Sequence, residues 1–534
     1  MVTAHAMVVS AHPVATAVGV DVLRDGGNAI DAAVAVHWAL AVTSPWAGNV
    51  GGGGFAVVRL HGGQAMALDF RETAPGKASS DMFLGADGRP LHEVSTHGAL
   101  ASGVPGSVAG LFALRDSLGR LPMERLIQPA IDLARNGCVL SPLEAHEINV
   151  CMPMLQKYST RPSAFTARAK WEAGDTLFQP DLARTLERIR DRGRDGFYRG
   201  ETAQAIVHEM ERGGGIITTE DLAGYEAVWR PVVRGQYRDI GVISMPPPSS
   251  GGMMLLQMLQ GMEAMDVGAA GWQSPATVHR MVEVERRAFA DRSSFYGDPA
   301  FTHIPVEGLL DSLYNMRRMV DFNPLHATSS AAVRPGLPST EHEQTTHFSI
   351  VDGEGNAVSC TTTLNGMYGN GVVVGGAGFV LNNEMDDFSS APGVPNSYGL
   401  TGGEANAIAP GKRMLSSMAP TILERDGKLL MVLGSPGGSA IPTSIFQVIL
   451  NVVDHGMDMQ QAVSAPRFHH QWLPDTIQVE YDAIAAQDSL KLVNMGHRFK
   501  SRRAIGRVDA ILRLPDGRLE GGADPRGEDS AGGY

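Results

Sequence analysis

Two β-hairpins written into the stretch from residue 345 to residue 434 constrain the fold more than any other feature of the chain. TTHFSIVD, GEG and NAVSCTTTLN read as strand, turn and strand, beginning at Thr345. PTILER and KLLMVLG flank Asp426-Gly427, a two-residue turn that suits twisted antiparallel strands. Upstream, FAVVRL (55–60) and AMALDF (65–70) are joined by HGGQ and predict a further hairpin, with Arg71 just past its second strand. Hairpins in series with helical patterns around them predict a largely antiparallel sheet stack covered by helices.

The helical patterns are clear. Residues 12–43 predict two helices, the first stopped by Gly26-Gly27. The second, AIDAAVAVHWALAV, is apolar nearly all round and should be buried. Residues 107–212 are mostly helical by their i, i+3, i+4 spacing. MPPPSSGG (245–252) is a rigid loop opening a Met/Leu-rich helix, and VHRMVEVERRAFADR and SAIPTSIFQVILNVVDHG are helices too. Residues 327–344 are polar, proline-containing and aperiodic, a linker or exposed loop.

Composition narrows the function. The 534 residues can build one large core or two to three ordinary domains. A net charge of −13 repels phosphate backbones and anionic lipid, so neither nucleic acid nor membrane is an expected partner. Three scattered cysteines, Cys138, Cys151 and Cys360, give no disulfide framework and no Cys-based metal site. No Lys or Arg precedes Arg24, so no export signal is read; the chain as given is expected to be cytoplasmic, or periplasmic if it is a trimmed mature form.

An extended strand that opens on Thr directly after a polar linker has a chemical possibility. If the Gln344–Thr345 bond were cut, Thr345 would carry a hydroxyl and a free α-amine. That amine titrates near neutrality, at about 7.7–8.0. It can take the hydroxyl's proton without any histidine. Taken alone, a Thr-Thr pair at a strand start is ordinary β-sheet composition.

The surrounding segments carry more. EQTTHFSIVDGEGNAVSCTTTLN, LNNEMDDFS, GKRMLSSMAPTI and GSPGGS resemble the γ-glutamyltransferase family in order and spacing. GGNAIDAAVAV, GGGGF, LDFRETAP, FYRG, MPPPSSGG and AFADRSSFYGDP match it as well, so the resemblance runs over nearly the whole chain. It implies the α+β, four-layer αββα sandwich of N-terminal-nucleophile hydrolases. One core would be made by two polypeptides, 1–344 and 345–534, cut autocatalytically between Gln344 and Thr345.

The roles implied by the resemblance agree with what each residue can do. Thr345 is the nucleophile and its amine the base, with the Thr363 hydroxyl hydrogen-bonded to it. Gly437 and Gly438 form the oxyanion hole, since glycine lets backbone N–H groups turn toward developing charge. Arg71 grips the α-carboxylate of a γ-glutamyl donor with a planar fork, helped by Ser416 and Ser417. Asn365, Glu384 and Asp387 surround the α-ammonium. SSAPGVPNSYGL (389–400) resembles a lid with Tyr398 at its tip. The implied substrates are glutathione and other γ-glutamyl compounds, with water, amino acids or peptides as acceptors. No cofactor or metal is called for.

Two other readings stay open. An amidase of the same family acting on glutaryl cephalosporins would have no ammonium for Glu384 and Asp387 to meet. An uncleaved, non-catalytic amino-acid-binding homologue would keep the pocket and lose turnover. GNVGGGGF lacks a following Lys-Ser/Thr and makes a poor phosphate loop, His469-His470 lack a metal-ligand spacing, and no GxSxG elbow is present.

Overall fold

A computed structural model of the chain describes residues 1–334, 345–389 and 403–534. At its centre is the hairpin read from residue 345 onward. Strand Thr345–Val351 pairs antiparallel with Ala357–Thr363, from Thr345 opposite Thr363 to Val351 opposite Ala357. Both strands are buried along their whole length. Met7–Ser10 flanks the hairpin on one side and Gly53–Arg59 on the other. Ser530–Gly533, Ala65–Asp69 and Val228–Arg230 complete a seven-stranded antiparallel sheet among the described residues.

A second seven-stranded antiparallel sheet is built around the other hairpin, Thr421–Arg425 with Lys428–Gly434. Asp509–Arg513, Leu519–Gly522 and Val2–Thr3 extend it one way, and Ile240–Ser244 and Val233–Tyr237 the other. Side-chain alternation decides how the sheets stack. Phe348, Ile350, Val358 and Cys360 face the helices Pro13–Arg24, Ala29–Thr43, Ser107–Leu118 and Met123–Asn136. Met7, Val9, Phe55 and Val57 face the second sheet instead. That sheet is covered on its far side by Gly251–Met262, Pro275–Phe295 and Ala440–Val453. The result is an α+β, four-layer αββα sandwich.

Helix Ala29–Thr43 is buried at every position, as its uniform apolarity predicts, and Asn28 with Asp31 closes its start in a capping box. No helix among the described residues is long and apolar enough to cross a membrane.

The strand read as starting at Phe55 already begins inside the run GNVGGGG. Gly53 and Gly54 belong to the strand and pair with Thr363 and Thr362. A Cβ on Gly54 would lie 2.4 Å from the Thr361 carbonyl oxygen, and one on Gly53 2.5 Å from that of Phe70. These glycines serve close strand packing rather than a turn. The strands end at Arg59 and Asp69, one residue earlier than read, although Phe70 still exchanges two hydrogen bonds with Gly54, at 3.0 and 3.2 Å.

The two sheets approach most tightly where Gly434 meets the His347 ring. A Cβ at Gly434 would sit 2.3 Å from His347 Cε1. Gly434→Ala should therefore destabilise the fold by about 1–3 kcal/mol through overpacking. A thermal unfolding midpoint equal to that of the parent would contradict this packing.

Candidate active site

The paired register of the central hairpin sets two threonines side by side at its open end. The Thr345 hydroxyl donates to Thr363 Oγ1 at 3.4 Å, and Thr345 is 6% exposed. Thr363 Oγ1 also accepts the Asn365 N–H at 2.7 Å. Asn365 adopts φ +68°, a left-handed conformation that Asn tolerates. Its side-chain amide donates to the Asn383 carbonyl at 3.0 Å, while Asn383 Oδ1 accepts the Gly366 N–H at 2.7 Å. These bonds lace the segment after the hairpin to the short 3-10 turn Glu384–Asp387.

Arg71 enters from the end of strand Ala65–Asp69 and is 1% exposed. Its backbone is held by Asp69 Oδ1, which accepts its N–H at 3.0 Å, and by the Tyr225 hydroxyl, which donates to its carbonyl at 2.7 Å. Arg413 donates to the same carbonyl. The guanidinium lies among three carboxyl groups: Glu384 at 2.5 Å, Glu72 at 3.6 Å, and Asp387, to which it donates directly. It also donates to the Leu415 carbonyl at 3.2 Å.

One cation faces three carboxyl groups, two of them fully buried. Burial works against the charge on Arg71, but Glu384, Asp387 and Glu72 outweigh it and push the group above its ordinary value. Burial pushes Glu384 well above the carboxylate range, Arg71 opposing and Glu72 and Asp387 adding to the rise. Glu72 moves upward for the same first reason. All four oxygens of Glu72 and Glu384 are buried and accept no aligned hydrogen bond. The cluster is short of donors and of positive charge.

Ser416 and Ser417 come from the loop after Leu415. Ser416 Oγ accepts the Met418 N–H at 3.1 Å, and Ser417 Oγ accepts from Arg292 Nη2 at 3.2 Å. Arg292 Nε donates in turn to Ser250 Oγ at 3.1 Å. The remaining piece is the turn between strand Lys428–Gly434 and helix Ala440–Val453. Gly437 has φ +135° and Gly438 φ +44°, conformations that favour glycine. Their carbonyls accept the N–H groups of Ala440 and Ile441 and start the helix. Neither glycine N–H donates a hydrogen bond within the described residues. Two free donors at a helix start form a seat for developing negative charge.

A small cavity of about 30 Å³ gathers these groups. Thr345, Thr363, Asn365, Glu384 and Asp387 line it, with Arg71, Ser416, Ser417 and Gly438. Gly437 adjoins it through Gly438. Of the remaining site residues expected from the sequence, Gln344 and Tyr398 lie outside the described residues. Met418 and Ile441 also line the cavity and were not anticipated, because apolar side chains carry no chemical signature in a sequence. Glu72 and Arg292 were missed too, although each sits inside a quoted motif, LDFRETAP and AFADRSSFYGDP.

His469 and His470 are buried and hydrogen-bonded, His469 to Thr443 at 2.8 Å and His470 to Asp475 at 3.3 Å. Elsewhere, His12, Glu144 and Glu528 come close enough to share an ion. His12 Nδ1 accepts the Val14 N–H, however, which puts the ring proton on Nε2 facing Glu144 at 3.0 Å. That pair is satisfied as it stands.

Arg71→Lys would keep the charge and lose the fork that spans Glu384, Asp387 and the Leu415 carbonyl. On the role that the family resemblance implies for Arg71, the expected result is a rise in KM for a γ-glutamyl anilide of about tenfold, the size of one lost charge-assisted hydrogen bond. An unchanged KM would remove Arg71 from substrate recognition.

The comparisons with known proteins agree on one family. The family model described as Gamma-glutamyltranspeptidase matches residues 15–534. The chain is 46% identical over 535 residues to a glutathione hydrolase proenzyme of Escherichia coli (strain K12), covering 99% of this chain and 92% of that protein. Among solved structures, a cephalosporin acylase from Bacillus halodurans superposes with a TM-score of 0.88 at 28% identity, covering 100% of this chain and 96% of that one. The gamma-glutamyltranspeptidase of Helicobacter pylori gives a TM-score of 0.59 at 44% identity, covering 61% of this chain and 94% of that one.

Proposed function

The chain belongs to the gamma-glutamyltranspeptidase family, and on that premise we propose that it cuts itself before Thr345 and then cleaves γ-glutamyl amides, glutathione among them. The observation that carries this reading is the convergence on one cavity of a hydroxyl nucleophile, a glycine turn with free N–H groups, and a guanidinium among excess acids.

The precursor, on this reading, is processed when the Thr345 hydroxyl attacks the Gln344 carbonyl and the resulting ester hydrolyses. The new α-amine then serves as base. It takes the proton as Thr345 Oγ1 attacks the donor's γ-carbonyl, and the Gly437 and Gly438 N–H groups hold the oxyanion. As the tetrahedral intermediate collapses, the leaving amine takes that proton and the γ-glutamyl group remains as an ester on Thr345. Water, an amino acid or a peptide then attacks the ester and its proton passes to the same amine; the ester bond to Thr345 breaks and Oγ1 takes that proton back, restoring the hydroxyl.

Recognition of the donor follows from charge. A glutamyl head is a zwitterion: its carboxylate needs Arg71 and the Ser416 and Ser417 hydroxyls, and its ammonium needs acids with open acceptors. Glu384 has two buried oxygens that accept no aligned hydrogen bond, which an ammonium with three donors would fill. On donor entry the carboxylate takes over part of the guanidinium now held by Asp387, and the freed acids close on the ammonium.

The acylase reading has the likeness to the Bacillus halodurans cephalosporin acylase in its favour. The acids around Arg71 weigh against it, since a glutaryl group brings no positive charge to balance them. Relative rates on γ-glutamyl and glutaryl anilides decide between the two.

Thr345→Ala should give one full-length band on a denaturing gel and no turnover of γ-glutamyl anilide. Two bands from that variant would place the cleavage or its nucleophile elsewhere. Ammonium binding also favours the ionised form of acids that burial has pushed upward, so donor binding near pH 6–7 should release protons. Titration calorimetry in buffers of different ionisation enthalpy reads this as a slope in the observed heat. Proton uptake, or no slope, would reject the ammonium role of Glu384 and its neighbours.

A further inference from the structure

A second buried acid cluster lies on the other side of the glycine turn. It joins three segments: residues 505–509, the C-terminal residues 524–529, and the stretch around Arg467 and Glu480. Four carboxyl groups meet three guanidinium groups there. Glu480 pairs with Arg526, Asp524 with Arg467 and Arg526, and Asp529 with Arg507 at 2.9 Å. Asp509 has no basic partner within ion-pair distance among the described residues. It is 0% exposed, neither of its oxygens accepts a hydrogen bond, and its carboxyl group lies within hydrogen-bonding reach of that of Asp529.

Two buried carboxyl groups within hydrogen-bonding reach, only one of them paired with a cation, can both stay only if one keeps a proton and donates it to the other. Burial pushes Asp509 well above its ordinary value, with the Asp529 charge adding to the rise and Arg507 opposing it. Asp529 is also raised by burial, to about 6.

The pair is wired to the chemistry. Asp509 stands opposite Gly434, the last residue of the strand that leads into Gly437 and Gly438. Its carbonyl accepts the Ser349 hydroxyl at 3.0 Å, from the same strand as Thr345. The Arg507 N–H donates to Ser435 Oγ at 2.9 Å, and that hydroxyl donates to the Pro436 carbonyl at 2.5 Å. The Arg507 guanidinium lies over the Trp46 ring at 5.2 Å, and the Trp46 carbonyl accepts the Tyr368 N–H at 3.1 Å. Directly after Asp529, strand Ser530–Gly533 pairs with Met7–Ser10, the neighbour of the Thr345 strand.

We propose that Asp509 and Asp529 share one proton and, through Arg507 and Ser435, act as positioning residues that hold the Gly437–Gly438 donors in register with Thr345. The inference rests on the oxyanion role given to these glycines above.

Three variants test it: Asp509→Asn, Asp509→Leu and Asp529→Asn. Infrared spectra of protein carrying ¹³C-labelled aspartate read the proton directly, and can be recorded on the uncleaved Thr345→Ala chain as well as on processed enzyme. At neutral pH the parent should show the C=O stretch of a protonated buried carboxyl, and Asp509→Asn should lack it. With γ-glutamyl anilide, Asp509→Leu and Asp529→Asn should lose kcat by about tenfold or more at near-constant KM, the signature of a lost transition-state interaction. Asp509→Asn, whose amide still donates to Asp529, should recover most of that loss. The proposal is overturned if the parent shows no such band, if Asp509→Asn is as damaging as Asp509→Leu, or if the losses fall on KM. A parent that shows the band but never turns over γ-glutamyl anilide would sink the proposed function and leave the shared proton standing.

Discussion

The site is organised by the Arg71 guanidinium, buried with three carboxyl groups around it. A lone buried charge would be expelled or neutralised. Arg71 stays because Glu384 and Asp387 answer it, and because Tyr225 and Arg413 hold its carbonyl from behind. The acids outnumber the cation, so the pocket is electrostatically incomplete. This incompleteness suits the zwitterionic donor of the proposed function, which brings a carboxylate for the guanidinium and an ammonium for the surplus acids.

The reacting atoms depend on a different constraint, the packing of two sheets against each other. Thr345 stands on one sheet and the glycine turn follows a strand of the other. Their mutual placement is set where the sheets touch, at His347 against Gly434 and at the Ser349 hydroxyl bonded to the Asp509 carbonyl. Neither contact includes a group that reacts. Both help fix the distance between Thr345 Oγ1 and the Gly437–Gly438 turn, and a close-packed interior transmits small displacements instead of absorbing them. The C-terminal strand adds a third support, pairing beside the Thr345 strand and carrying Asp529 under the turn.

Much of this could be read in advance. The hairpins at 345–363 and 421–434, the buried helix Ala29–Thr43 and the helix after the glycine turn all follow from local pattern, because period and turn chemistry act over a few residues. Other features have no local signature. Gly53 and Gly54 lie inside the strand, one step before the stretch read as strand, and what demands glycine there is the approach of carbonyls from Thr361 and Phe70. The last sixty residues offered no motif of their own, yet they supply strands to both sheets and the acids beneath the active turn.

The sequence by itself determined the local elements and the residue types at their ends: a threonine at a strand start, an arginine after a strand, a glycine pair before a helix. Taken singly each is ordinary strand, surface or turn composition, and only the joint resemblance to one family singled them out. Only the tertiary structure decided that they share one cavity, that Glu72 and Arg292 belong with them, and that Asp509 faces Asp529. Those facts depend on burial and on contacts between distant segments, and a carboxyl group's charge is set by what surrounds it in space, not by what precedes it in the chain.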